Sequence, residues 1–301
     1  MKKVTVSATQ TSFTWDKEDN LRKAEKLVRE AASKGAQIIL LSELFETPYF
    51  CLQPDEKHFE LAKPVEENAA VKHFQKIAKE LEVVLPISFY ERENHARYNS
   101  IAIIDADGSI LGVYRKTHIP DSPGYFEKFF FNPGDTGFKV WDTRYAKIGV
   151  GICWDQWFPE TARSMALMGA EVLFFPTAIG SEPQDPNLIS KDHWQATQCG
   201  HAAANVTPVV AANRFGRETT TDVFDKDAKE VGITFYGSSF IANEHGQKVE
   251  EAGQDEEAVL VHTFDLDDIE KTRTSWGLFR DRRPEYYEVI TSSDGVHPNK
   301  F

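Results

Sequence analysis

The segment GVGICWDQWFPE, residues 149–160, is the part of the sequence that says most about the fold. Apolar residues lead up to Cys153 and Pro159 starts a helical pattern, so the segment predicts a strand, a tight turn and a helix. The glycines let the backbone turn sharply, and the Cys153 thiol then projects from the turn, as the nucleophile of α/β-hydrolases does. A lone cysteine is more often a buried, inert thiol, but this setting favours a reactive one.

Short apolar strands alternate with amphipathic helices on both sides of this segment. We expect helices over 20–33, 71–81, 159–168 and about 190–205, and strands over 4–8, 38–41, 83–89, 146–152 and 172–175. The segments 97–105 and 110–115 flank ADGS at 106–109, which predicts a β-hairpin. This alternation predicts an α/β fold, and the hairpin and later strands near 208–212, 238–242 and 258–264 favour mixed rather than purely parallel sheets.

The sequence favours one domain with a C-terminal arm. No linker rich in Gly, Pro or Ser interrupts residues 1–275, so we predict one domain there. Residues 276–301 mix charges and aromatic side chains. Two interpretations of this arm stay open: it covers a neighbouring subunit, or it wraps on its own domain.

Composition narrows the function classes. The net charge of the 301 residues is −13, which argues against binding to nucleic acid phosphates and mildly favours a cationic ligand. No apolar run is long enough to cross a membrane, and the N-terminus has no apolar core of a signal peptide, so we expect a cytoplasmic protein. Three well-separated cysteines, Cys51, Cys153 and Cys199, predict neither a disulfide framework nor a zinc site.

Two further polar residues directly follow predicted strands. Glu43 comes after the strand at 38–41 and Lys116 after the strand at 110–115. Because sites in layered α/β folds gather outside strand ends, these residues and Cys153 can converge in one pocket. A thiol is only slightly ionised at neutral pH, so Cys153 needs a base, which Glu43 offers, and a cation, which Lys116 offers. Either residue alone would most often be a solvated surface side chain.

Sequence patterns typical of other catalytic or cofactor-binding sites are incomplete. The first two glycines of a dinucleotide fingerprint occur at 149 and 151, but residue 154 is not a third glycine. His193 and His201 lack the spacing of a metal pair, and we interpret them as structural or pocket-lining. A protease dyad of Cys153 with His118 or His193 stays open on composition, although no protease signature surrounds the cysteine.

Three motifs in this order resemble the nitrilase superfamily of carbon–nitrogen hydrolases: LSEL at 41–44, YRKTH at 114–118 and GICWD at 151–155. The resemblance runs from about residue 4 to about residue 275. It implies a four-layer αββα sandwich with two mixed β-sheets that assembles into a homo-oligomer. It also implies a catalytic triad of Glu43, Lys116 and Cys153, no metal or organic cofactor, and a second glutamate near the triad, which Glu127 matches.

Longer segments, at 127–138, 153–160 and 176–183, resemble the branch of that superfamily that hydrolyses N-carbamoylputrescine. In that branch, residues matching Tyr49, Tyr125 and Glu182 line the substrate pocket. The substrate carries a ureido group at one end and an ammonium at the other. The ureido carbonyl is a poor electrophile that needs oxyanion stabilisation, which we assign to Lys116 and the backbone N–H of Trp154. The desolvated ammonium needs a carboxylate, and Glu182 is the candidate.

Two alternatives remain at this point. One is another carbamoyl-amine or amide hydrolase of the superfamily, such as a β-ureidopropionase-like enzyme, whose carboxylate-bearing substrate calls for Arg or Lys in place of Glu182. The other is a catalytically silent binding protein on the same fold, against which the intact set of Glu43, Lys116 and Cys153 argues.

Overall fold

The structure is a computed structural model that describes residues 2–185, 187–224 and 230–296. The α-helices are α1 (Lys17–Ser33), α2 (Ala69–Leu81), α3 (Glu127–Phe130), α4 (Pro159–Leu167), α5 (Lys191–Asn205) and α6 (Leu266–Trp276). The strands are β1 (Lys3–Gln10), β2 (Ile38–Leu40), β3 (Leu85–Glu93), β4 (Ala96–Ile104), β5 (Ile110–Arg115), β6 (Val140–Asp142), β7 (Lys147–Val150), β8 (Val172–Pro176), β9 (Val209–Ala212), β10 (Phe215–Thr220), β11 (Val231–Tyr236), β12 (Phe240–Ala242), β13 (Lys248–Glu251) and β14 (Ala258–Asp265). Short 3-10 turns cover Phe50–Leu52, Glu56–Leu61, Cys153–Trp157, Pro284–Tyr286 and Glu288–Thr291.

The strands form a mixed α/β fold, as predicted, but they are not divided into two clean sheets. One sheet has six strands in the order β13-β12-β9-β8-β7-β6, and the others are β14-β1-β2, β3-β4-β5 and the hairpin β10-β11. A single parallel bridge between Ile38 and Val84 joins the edge strand β2 to the segment that leads into β3. Val84 donates its N–H to Gln37 and accepts one from Ile39, and the pairing stops there because β2 is only three residues long.

Alternate residues of the strands pack into different core layers, as the period of two requires. In β8, Val172 and Phe174 belong to a core cluster shared with β1, β2 and β4, while Leu173 and Phe175 belong to a cluster with α4 and α5. The opposite face of β2, β3 and β4 packs against α1 and α2. Helices therefore cover the outer faces of two facing layers of strands.

Local signals explain most element boundaries. Helix α1 starts earlier than expected because the Asp16 side chain accepts the N–H of Asp19 and caps it. Helix α4 begins at Pro159, and β4 and β5 form the expected antiparallel hairpin, with Gly108 at φ +85° in its turn. Strands β10 and β11 are not among the predicted elements: β10 (FGRETT) is mostly polar, whereas β11 (VGITFY) does alternate, with Val231, Ile233 and Phe235 on one face, and its signal was missed.

The chain beyond α6 carries two short turns and many exposed apolar side chains. Helix α6 ends at Gly277, which has φ +74° and caps the helix in the left-handed conformation. The division between residues 1–275 and the arm stays a prediction, and residues 297–301 of that arm lie outside the described residues. Across the three described ranges, no helix is long and apolar enough to cross a bilayer.

Candidate active site

The three residues singled out at strand ends lie just beyond the ends of three different strands of the structure. Glu43 follows β2, Lys116 follows β5 directly, and Cys153 follows β7. Glu43 and Lys116 are fully buried and Cys153 nearly so. The Lys116 Nζ lies 2.9 Å from the Glu43 Oε1, so residues that are 73 positions apart in sequence meet in one ion pair.

Lys116 bridges two buried carboxylates. Its Nζ also lies 2.7 Å from the Oε2 of Glu127, the first residue of α3. Burial alone would lower the pKa of Lys116, but Glu127 and Glu43 outweigh it and hold the pKa well above its usual value. Burial raises the pKa of Glu127 to about 7, with Lys116 opposing the rise and Glu43 adding to it. Lys116 is therefore a fixed cation between two acids.

The two oxygens of Glu43 have different surroundings. Oε1 accepts hydrogen bonds from Lys116 at 2.9 Å and from the Asn99 Nδ2 at 2.6 Å. Oε2 is buried and has no hydrogen-bond partner within the part of the chain that the structure describes. A buried carboxylate oxygen without a donor is costly, and at an active site such an atom is available to accept a proton.

Cys153 sits in a strained turn at the start of its 3-10 segment. Its φ is +42°, in the left-handed region that side-chain-bearing residues rarely adopt, and strain of this kind concentrates at functional sites. The Thr177 hydroxyl donates to the Cys153 Sγ at 3.1 Å. Burial raises the pKa of Cys153, Glu43 raises it further and Lys116 opposes the rise, so the resting thiol is protonated and needs a base.

A cavity of about 420 Å³ opens onto Cys153. Its lining is Pro120, Ser122, Tyr125, Glu127, Cys153, Trp154, Trp157, Ala178, Ile179, Glu182, Gln184, Leu188, Ile189, Ser190 and His193. Among these described lining residues there is no Lys or Arg. The cavity thus offers apolar walls next to a thiol. Of its two carboxylates, Glu127 is already paired with Lys116, so Glu182 is the one left to face a positively charged group of a substrate.

The predicted pocket residues take different positions. Tyr125 and Glu182 line the cavity: the Tyr125 hydroxyl accepts the Gly180 N–H at 3.1 Å, and the Glu182 carboxylate accepts from the Ser190 hydroxyl at 3.2 Å. Tyr49 is not among the lining residues. It is 1% exposed, and its hydroxyl donates to the Glu127 Oε1 at 2.6 Å, so it contacts the site from behind the glutamate.

The structure adds buried polar residues that the sequence analysis did not name as site residues. Asn99, inside β4, holds Glu43, and Arg214, just after β9, donates to the backbone carbonyls of Glu43 at 2.6 Å and Leu44 at 3.1 Å. Asp155 accepts the Tyr114 hydroxyl at 2.8 Å and the His118 N–H at 3.0 Å, which ties the Cys153 turn to the strand end that carries Lys116. The sequence pattern of β4 does not single out Asn99, because Arg97 and Ser100 close to it are polar as well.

The histidines serve other contacts. His118 bonds Asp155 through Nδ1 at 2.8 Å and stacks on Phe158, His201 bonds the Gln156 carbonyl at 2.8 Å, and His193 lies against Trp157 at the cavity. Within the described ranges, the hydrogen-bond partners of the Cys153 Sγ are Thr177 and the Ala178 carbonyl, not a histidine. The arrangement therefore does not favour a Cys–His protease dyad.

A strand-end thiol, a buried glutamate and a lysine that joins it to a second glutamate define the class of protein. The chain matches the carbon–nitrogen hydrolase family over residues 4–274. It belongs to that family, as its motifs predicted.

Particular relatives place it more finely. The chain is 58% identical to the N-carbamoylputrescine amidase of Oryza sativa subsp. japonica, over 97% of this chain and 96% of that one. It is 53% identical to a citrullinase of Francisella tularensis subsp. tularensis, over 96% and 99% of the two chains. A crystal structure of a carbon–nitrogen hydrolase from Helicobacter pylori G27 superposes with a TM-score of 0.89 at 36% identity, over 97% of this chain and 99% of that one. The chain is an amidase of the nitrilase superfamily.

Proposed function

We propose that the protein hydrolyses N-carbamoylputrescine to putrescine, carbon dioxide and ammonia. The observation that carries the proposal is the cavity that joins Cys153 to Glu182 and has no Lys or Arg among its described lining residues. A ureido group at Cys153 and an ammonium at Glu182 satisfy both ends of this substrate. The similarity to plant N-carbamoylputrescine amidases supports the same assignment.

The first half-reaction starts with a proton transfer. Glu43 takes the thiol proton of Cys153 on Oε2, which has no hydrogen-bond partner among the described residues, and the thiolate attacks the ureido carbon, so the carbonyl oxygen becomes an oxyanion. We assign the stabilisation of that oxyanion to the Lys116 ammonium and the Trp154 N–H. The intermediate collapses, the carbon–nitrogen bond breaks, and Glu43 returns the proton to the departing nitrogen.

The second half-reaction reverses these roles with water. Glu43 deprotonates a water that attacks the thioester carbon, the carbon–sulfur bond breaks, and the proton goes to the Cys153 sulfur. The released carbamic acid decomposes to carbon dioxide and the remaining nitrogen product, which is ammonia or putrescine depending on which left first. Glu127 keeps Lys116 in place through its 2.7 Å ion pair throughout both steps.

Glu182 supplies recognition rather than chemistry. Its carboxylate is already oriented by Ser190 at 3.2 Å and by Gln184 at 3.3 Å, so it does not have to be ordered when the substrate arrives. Apolar side chains of Leu188 and Ile189 line the same cavity and suit a methylene chain. Tyr125 completes the wall beside Cys153.

Citrulline is the second candidate substrate, because a relative that is 53% identical is a citrullinase. Citrulline has the same ureido group but adds a carboxylate beside its ammonium. The described cavity lining gives that carboxylate no Lys or Arg and places Glu182 near it, which disfavours binding. The same argument disfavours N-carbamoyl-β-alanine, the substrate of a β-ureidopropionase-like enzyme.

Ammonia release tests the proposal. We expect kcat/KM for N-carbamoylputrescine to exceed that for citrulline and for N-carbamoyl-β-alanine by at least about a hundredfold, the effect of roughly 3 kcal/mol of discrimination. A higher kcat/KM for citrulline would replace the proposal with the second candidate. Tight binding without release of ammonia from any of the three would identify a silent binding protein.

We also propose a homo-oligomer that works in the cytosol. The arm that starts at Trp276 exposes apolar and aromatic side chains, with Trp276 71% and Tyr286 69% exposed in the isolated chain. All three cysteines are unpaired, which suits a reducing compartment.

A further inference from the structure

The side chain of Asn99 lies against the base of the proposed reaction. Asn99 is fully buried in β4, and its Nδ2 donates to the Glu43 Oε1 at 2.6 Å. Its backbone carbonyl accepts the N–H of Lys116 at 2.8 Å. One residue therefore fixes the side chain of Glu43 and the backbone of Lys116.

The orientation of the Asn99 amide is set by the charge beside it. A carboxylate oxygen only accepts hydrogen bonds, so the amide must present its NH2 group to Glu43. The consequence is that the Asn99 Oδ1 is left buried and has no partner among the described residues. An unpaired buried amide oxygen lowers the free energy of unfolding. The amide adopts this orientation nevertheless, because it allows the hydrogen bond to Glu43.

The two donors on Oε1 leave the carboxylate asymmetric. Asn99 and Lys116 both bond Oε1, while Oε2 has no donor within the described chain. Hydrogen bonds to a carboxylate oxygen stabilise negative charge on it and make it a weaker proton acceptor. The proton of a nearby thiol or water then goes to Oε2.

We propose that Asn99 is a positioning residue that directs proton transfer to the Oε2 atom of Glu43. It does so by occupying Oε1 together with Lys116 and by preventing rotation of the carboxylate. The inference rests on the proposed function, in which Glu43 is the base for Cys153. Asn99 itself is not part of the described cavity lining.

Two variants test the inference. Asn99→Ala removes the donor, and we expect kcat/KM for N-carbamoylputrescine to fall about ten- to a hundredfold over the whole pH range, the effect of one lost hydrogen bond to a charged group. We expect the fall in kcat with little change in KM, because Asn99 is not among the described residues that line the cavity. Asn205→Ala is the matched control, since Asn205 is also buried and its Nδ2 donates to the His201 carbonyl at 2.9 Å and not to a carboxylate.

Asn99→Asp should change the pH profile of kcat/KM, which would stay the same if Asn99 had only a structural role. The introduced carboxyl group still donates to Oε1 while it is protonated, whereas its ionised form repels Glu43. We therefore expect activity at low pH and a new loss of kcat/KM as the pH rises. This variant keeps the shape of the side chain and remains informative if Asn99→Ala does not fold. A pH profile parallel to that of the wild type, or a folded Asn99→Ala with wild-type kcat, would overturn the inference.

The same assay separates this inference from the proposed function. Glu43→Gln and Cys153→Ala test the function, and we expect both to abolish turnover. If they retain activity, the proposed chemistry fails whatever Asn99 does. If they are inactive and the Asn99 variants behave like the wild type, only the role of Asn99 fails.

Discussion

The Tyr49 hydroxyl donates a 2.6 Å hydrogen bond to the Oε1 of Glu127, whose other oxygen holds Lys116 at 2.7 Å. The tyrosine thus acts on the site through the second glutamate, not through the cavity wall. This contact favours the ionised form of Glu127 and opposes the effect of burial, which raises its pKa to about 7.

Tyr49→Phe should move the pH dependence of the reaction. Loss of the donor raises the pKa of Glu127 further, so a smaller fraction is ionised at neutral pH and its hold on Lys116 weakens. We expect the acidic limb of the kcat/KM profile to shift to higher pH by about one unit, the size of one hydrogen bond to a charged group. Tyr90→Phe is the matched control, because the Tyr90 hydroxyl donates to the Phe130 carbonyl at 3.1 Å and not to an acid. Superimposable wild-type and Tyr49→Phe profiles would rule out this coupling.

Glu182→Gln should change substrate preference. The substitution keeps the shape and removes the charge, so it strands the ammonium of N-carbamoylputrescine without a counterion. Because Glu182 is only partly buried, we expect kcat/KM to fall about ten- to a hundredfold, less than for a fully buried pair. An N-carbamoyl-alkylamine without the ammonium should lose little. Equal losses for both substrates would assign Glu182 to chemistry instead of recognition.

Arg214→Met should destabilise the fold more than the same substitution at an exposed arginine. The fully buried guanidinium donates to the Glu43, Leu44 and Thr47 carbonyls and pairs with Glu218 at 2.9 Å, and Met removes all four contacts. We expect a loss of about 3–5 kcal/mol in the free energy of unfolding, measured in urea. Arg22→Met, which removes an exposed side chain bonded to Asp19, should change it by less than about 0.5 kcal/mol. Similar small changes in both variants would contradict the bracing role of Arg214.

Light scattering should report a mass that is a multiple of the 34.1 kDa chain at micromolar concentration. The expectation follows from the exposed aromatic and aliphatic residues of the arm, which include Tyr286 and Ile290. Truncation after residue 276 should lower that mass if the arm contributes to the interface. A monomer of the full chain at these concentrations would contradict the oligomer and would favour an arm that wraps on its own domain.

The central residues of the site could be predicted from sequence because sites in layered α/β folds gather outside strand ends, so the topology brings such positions together. Glu43, Lys116 and Cys153 each follow a strand, and Glu43 and Lys116 meet in an ion pair. Glu127 follows no strand, and only the family resemblance pointed to it.

Other features depend on side-chain directions and on register, which a linear pattern does not contain. Asn99 lies in mid-strand, and nothing in its sequence context says that its amide points at Glu43. The family resemblance assigns Tyr49 to the pocket wall, yet the structure turns its hydroxyl to Glu127 and leaves it outside the cavity lining. The number of sheets also differs from the expected two. Pairing between β2 and the segment that leads into β3 stops after the single bridge at Val84 because β2 is short, and hydrophobic periodicity does not predict that length.

The most direct test of the central claim is to identify the atom that carries the substrate carbon during turnover. The enzyme is mixed with N-carbamoylputrescine labelled with carbon-13 at the carbonyl, quenched in acid within one turnover, digested and analysed by mass spectrometry. The mass of the adduct also shows whether the amine or ammonia leaves first. We predict that the label is on the peptide that contains Cys153 and disappears as ammonia and carbon dioxide accumulate. Turnover without label on Cys153, or label on Cys51 or Cys199, would contradict the account.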